Sequence, residues 1–132
     1  MSRAFTGYWG KGHGYGFTSA GGRAAVYAAY ARKVPLAGVI SISGPMAPDD
    51  ASYWAKPGQK HPPLLMVTGE KDLEHVVKST PPMIEALGHA GVAAEWCQVP
   101  AATHFYPSSS VASDGRTVLD TMTAALQRWG CL

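Results

Sequence analysis

Apolar positions along the chain fall into short, nearly continuous runs that alternate with segments of helical period. Residues 36–43, with Leu36, Val39, Ile40 and Ile42, form one such run, and 64–68 (Leu-Leu-Met-Val-Thr) and 93–99 form two more. All three read as strands, and the near-continuous run at 36–43 as one covered on both sides, the habit of parallel sheets. Between them, residues 21–33 are rich in alanine, which favours a helix able to approach a sheet closely. Val34-Pro35 stops that helix, and Gly44-Pro45 ends the strand after it. Thr80 offers an N-cap with Pro81 at the first helical position. Met83, Ile84, Leu87 and Ala90 then recur at helical spacing up to Gly91. Asp114 is placed to cap a last helix whose Val118, Leu119, Met122, Ala125, Leu126 and Trp129 make one apolar stripe.

Residues 46–63 carry prolines, glycine and aspartates without a period and read as a loop, with one short helical turn around 51–55. The first eighteen residues are the least legible, because Gly7, Gly10, Gly12, Gly14 and Gly16 break every period. A strand over 15–18 is expected there only because a turn of the kind described next needs one. The pattern predicts an α/β chain in which a short, mostly parallel sheet is flanked by helices. The carboxyl ends of such strands share one edge.

Composition narrows the classes of function. The 132 residues, 46% of them hydrophobic, suffice for one domain with a core. A formal charge of +2 spread along the chain, without basic runs, argues against nucleic acid as a partner. No segment reaches the ~18 apolar residues of a membrane span, and the first ten residues lack a secretory apolar region, so the expected compartment is the cytoplasm. Cys97 and Cys131 stand apart from each other and from histidine clusters and read as reduced thiols. His13, His61, His75 and His89 lack metal-ligand spacing, so neither a metal nor another cofactor is expected. Lys11 among glycines lacks the Gly-Lys-Ser/Thr ending and the preceding strand of a phosphate-binding loop.

The chemistry gathers at the strand ends. Phe17-Thr18-Ser19-Ala20-Gly21-Gly22 is a tight turn running straight into the alanine-rich helix, an arrangement that lifts a serine hydroxyl free at the end of a sheet. Asp72 follows the run at 64–68, and His104 follows that at 93–99. A serine hydroxyl needs an imidazole to take its proton and a carboxylate to orient that imidazole, which assigns Ser19, His104 and Asp72 in turn. The backbone N–H of Ala20, at a helix start, is positioned to stabilise an oxyanion. Glu70 and Glu74 compete with Asp72 for the acid role, and Thr18, with Gly16, is the second candidate nucleophile. Tyr53, Trp54 and Phe105 are candidate apolar walls of a substrate pocket.

Ser19-Ala20-Gly21-Gly22, then Gly69-Glu70-Lys71-Asp72, then Thr103-His104-Phe105 make the chain, over about residues 15–129, resemble the C-terminal half of α/β-hydrolases, in particular carboxylesterase and kynurenine-formamidase-like members. The resemblance implies a serine hydrolase cleaving carboxylic esters or small amides through an acyl-enzyme. It also implies a partial α/β-hydrolase fold whose N-terminal strands are missing. Residues 1–132 are then one truncated domain, with 1–14 an irregular glycine-rich start and 15–130 the core half. Phe17 stands where the family has glycine two residues before its nucleophile, and the loop that supplies a second oxyanion donor has no counterpart. The alternative expectation is therefore a non-catalytic fragment. An unpaired sheet edge would favour a homodimer.

Overall fold

The computed structural model describes residues 4–6 and 18–132, with side chains for 20–132. Among these, the order of elements is β1 (Ala4–Thr6), α1 (Thr18–Tyr30), β2 (Gly38–Ile42), α2 (Pro48–Trp54), β3 (Leu64–Gly69), α3 (Glu74–His89), β4 (Ala94–Val99) and α4 (Val118–Arg128). The strands lie side by side in the order β1-β2-β3-β4, and every pair is parallel. The central register runs from Val39↔Leu64 to Ile42↔Val67, and the next from Leu64↔Ala94 to Gly69↔Val99. Parallel neighbours require a crossover, and α1, α2 and α3 supply the three.

Successive strand residues point to opposite faces, and the two cores follow that alternation. Val39, Leu64 and Met66 share one core with Val26 and Tyr30 of α1, Ala51 of α2, and Met83 and Leu87 of α3. Ile40, Ile42, Leu65 and Val67 face α4 through Val118, Met122 and Ala125. Both strands are buried on both sides, which is why the sequence shows unbroken apolar runs rather than alternation. Gly38 opens β2 beneath the Trp129 indole, whose ring carbons occupy the space a Cβ would need.

Several boundaries differ from the sequence expectation. Of the strand expected at 15–18, residues 15–17 lie outside the described residues and Thr18 opens α1. The loop at 46–63 contains a helix of seven residues, α2, with Pro48 in its first turn. The helix expected to begin at Thr80 begins at Glu74, so Pro81 and Pro82 lie inside it. Prolines there deprive the Val77 and Lys78 carbonyls of their helical donors, at two residues that are exposed to solvent. Thr80 caps nothing; its hydroxyl donates back to the Val76 carbonyl at 2.7 Å. The cap of α4 is Thr117, which accepts from the Asp120 N–H at 3.0 Å, whereas Asp114 binds Arg116. Leu119, placed on the apolar stripe by its spacing, is about half exposed. Among the described residues no helix is long and apolar enough to cross a membrane.

Candidate active site

Two strand ends and the start of one helix meet at the carboxyl edge of the sheet. β3 ends at Gly69 and turns through Glu70 and Lys71 to Asp72, whose side chain is fully buried. β4 ends at Val99 and turns through Ala101, at φ 59°, to His104, whose side chain is 10% exposed. The two turns are stitched together. The Glu70 N–H donates to the Val99 carbonyl at 2.9 Å and that of Lys71 to the Ala102 carbonyl at 2.8 Å. The Glu70 carboxylate accepts from the Ala101 N–H at 2.7 Å. Gly69 permits this closeness: a Cβ there would lie 2.5 Å from the Ala102 carbonyl oxygen and nearer still to that of Thr103.

The result is a direct pair, in which His104 Nδ1 donates to Asp72 Oδ1 at 2.6 Å. A carboxylate only accepts, so the shared proton sits on Nδ1, and Nε2 is the ring nitrogen that lies outside this contact. Of the three carboxylates considered from sequence, Asp72 is the one joined to His104. Glu70 is engaged by Ala101, and Glu74 pairs with Lys78 at 2.5 Å on the exposed face of α3.

Asp72 is held by four donors. Oδ1 also accepts from the Leu73 N–H at 2.8 Å, while Oδ2 accepts from the Gly69 N–H at 3.0 Å and from the Ser43 hydroxyl at 2.6 Å. Ser43 lies 2.9 Å from the Tyr106 hydroxyl. Burial, the larger influence, pushes the Tyr106 phenol well above its usual range, so it stays protonated. Sequence reasoning passed over both residues. In the sequence Ser43 only closes the apolar run at 36–43, and nothing near Tyr106 marks it as part of the site.

Helix α1 brings its first turn to the same edge. Gly22 abuts the carboxyl end of β2 so closely that a Cβ would stand 2.6 Å from the Ser41 hydroxyl and 3.1 Å from the Ile42 nitrogen. Ser19 precedes Gly22 by about one helical turn and therefore sits at this edge; its side chain lies outside the described ones. Ala20 is exposed in that first turn, where N–H groups have no acceptor within the helix.

The three aromatic candidates part company. Phe105, 60% exposed, stands edge-on to the His104 ring with centroids 5.0 Å apart. Tyr53 and Trp54 pack on each other at the end of α2, and the Trp54 carbonyl accepts from Lys33, just past the last turn of α1. Since α1 is about 20 Å long, they lie far from its first turn. Among the described residues no group of His, Cys, Asp and Glu is arranged to hold a metal ion.

No protein-family model matches the chain, and no curated protein does. Solved structures do match. Esterase PE8 shares 28% identity with a TM-score of 0.62 over 83% of this chain and 46% of its own. Arabidopsis thaliana SOBER1 shares 21% identity with a TM-score of 0.56 over 84% of this chain and 50% of its own. The chain thus spans about half the length of the structures it matches. With four parallel strands and helices on both faces, it is a partial α/β-hydrolase fold.

Proposed function

We propose that this partial α/β-hydrolase fold is a serine hydrolase acting on carboxylic esters or small amides. The observation that carries the reading is the buried Asp72–His104 pair at the sheet edge reached by the first turn of α1. The esterase among the solved structures similar to it supports the same reaction class.

In this reading the Ser19 hydroxyl attacks the acyl carbon while His104 Nε2 takes its proton. Asp72 keeps the second ring proton on Nδ1 and stabilises the imidazolium. The carbonyl oxygen gains negative charge, and the Ala20 N–H, on a helix start, faces it. His104 then protonates the departing alkoxide or amine, leaving an acyl-serine. Water attacks that ester with His104 again as base, and the carboxylic acid leaves as the serine recovers its proton. Phe105 gives the acyl or alcohol group an apolar surface beside the imidazole.

An alkyl fluorophosphonate tests this without knowledge of the substrate. Intact mass is expected to show one phosphonyl adduct per chain, with fluoride lost, and no adduct on Ser19→Ala. A folded chain that stays unlabelled, or a variant that labels equally well, would refute Ser19 as an activated nucleophile.

A further inference from the structure

Ser43 occupies a position that costs the backbone something. It is fully buried, directly after β2, at φ 56°, in the left-handed region that residues with a Cβ avoid. Glycine would fit there without strain, and glycine is the next residue. The surroundings fix the conformation from both sides: the Ser43 N–H donates to the Val67 carbonyl at 2.7 Å, and the Ser41 hydroxyl holds the Gly44 carbonyl at 2.8 Å. What the serine adds over glycine is its hydroxyl, which reaches Asp72 Oδ2 at 2.6 Å.

The direction of the proton chain follows from the acceptor at its end. Asp72 cannot donate, so Ser43 donates to it and is left with lone pairs for the Tyr106 O–H. Tyr106 is itself anchored among Ile42, Val67, Val99 and Ala112 on the α4 side of the sheet. The order is Tyr106 to Ser43 to Asp72, with His104 on the other carboxylate oxygen.

We infer that Ser43 and Tyr106 are positioning residues for the acid of the proposed triad: they hold Oδ2 in place and so aim Oδ1 at the imidazole. The inference rests on the serine-hydrolase reading for its effect on rate, but its geometric content is separable. Ser43→Gly discriminates best, since it removes the hydroxyl while relieving the strained φ. With p-nitrophenyl acetate as substrate, kcat is expected to fall roughly 10- to 100-fold, as for loss of a hydrogen bond to a charged group, with KM little changed. Tyr106→Phe, which acts one bond further out, is expected to lower kcat roughly threefold to tenfold. The double variant is expected to be no slower than Ser43→Gly alone, because Tyr106 works through Ser43.

Proton NMR supplies the readout independent of turnover. The His104 Nδ1 proton, bridging to Asp72, is expected downfield of the amide envelope, and to broaden or move upfield in both single variants. A Ser43→Gly chain with full kcat and an unchanged resonance would overturn the inference and leave the hydrolase reading standing. A wild-type chain that neither labels nor turns over, yet loses the resonance on Ser43→Gly, would keep the positioning and remove the hydrolase. Should Ser43→Gly fail to fold, Tyr106→Phe decides by the same two signals.

Discussion

Asp72→Asn is expected to lower kcat roughly ten-thousand-fold, the scale on which loss of the orienting carboxylate acts in a serine triad, while the chain still folds. The reason is the count of donors. Four hydrogens point at the Asp72 carboxylate, from Gly69, Leu73, Ser43 and His104. An asparagine amide has one oxygen and must turn its NH2 towards two of them. If the NH2 faces His104, Nδ1 has to accept, the ring proton moves to Nε2, and the base is lost. The Leu73 N–H is then stranded. If it faces the other way, Ser43 rotates to accept but the Gly69 N–H is stranded. Either orientation leaves an N–H unpaired, the buried one of Gly69 or the part-buried one of Leu73, so about 1–3 kcal/mol of stability is expected to go as well. Steady-state hydrolysis of p-nitrophenyl acetate and a urea titration measure both losses. The large loss belongs to the orientation with the NH2 towards His104, so a kcat within tenfold of wild type, in a variant whose Nδ1 proton resonance is also lost, would mean that Asp72 does not orient the base.

The second large effect is expected from Gly69→Ala. The new methyl would press on backbone carbonyls of Ala102 and Thr103, which cannot swing away as a side chain can. The loop that carries His104 must move, at a cost of about 1–3 kcal/mol or more for overpacking. A shift of about 1 Å in a catalytic group costs on the order of 100-fold in rate, so activity is expected to fall further than stability alone explains. Gly88→Ala is the control. Its Cβ would meet nothing within 4 Å on exposed helix α3, and helix propensity favours alanine by up to about 1 kcal/mol. Equal melting temperatures for the two variants would contradict the close contact at Gly69.

How far the sequence reaches can be seen by comparing particular residues. Strand β3 was legible to within a residue because burial on both sides writes itself as an apolar run, and β4, only partly buried, was placed as closely by its apolar residues between Gly91 and Pro100. Asp72 and His104 were legible because they follow those runs where the strand ends of a parallel sheet collect. The start of α3 was not, since Pro81 resembles a helix opening and nothing local reveals that the exposed Val77 and Lys78 carbonyls tolerate losing their donors. The start of α4 turned on whether Asp114 or Thr117 reached a helix N–H, a matter of one turn of chain. Ser43 reaches Asp72 across 29 residues of sequence and Tyr106 reaches Ser43 across 63, contacts that only the tertiary fold makes. Tyr53 and Trp54 looked like pocket walls because aromatics in a loop do; helix α2 carries them to the far end of α1 instead.

The turn from Gly69 to Leu73 has one further consequence, visible on the clock of solvent exchange. Five amides in succession are engaged, at Gly69 and Leu73 by the carboxylate they flank, at Glu70 and Lys71 by carbonyls after β4, and at Asp72 by the Gly69 carbonyl. The first four of these bonds are expected to slow exchange until the carboxylate releases its grip or the end of β4 lifts away, whereas that of Asp72 opens with its own turn. By position this segment is a loop, yet in time it belongs to the sheet. Asp72 and His104 are therefore expected to open together.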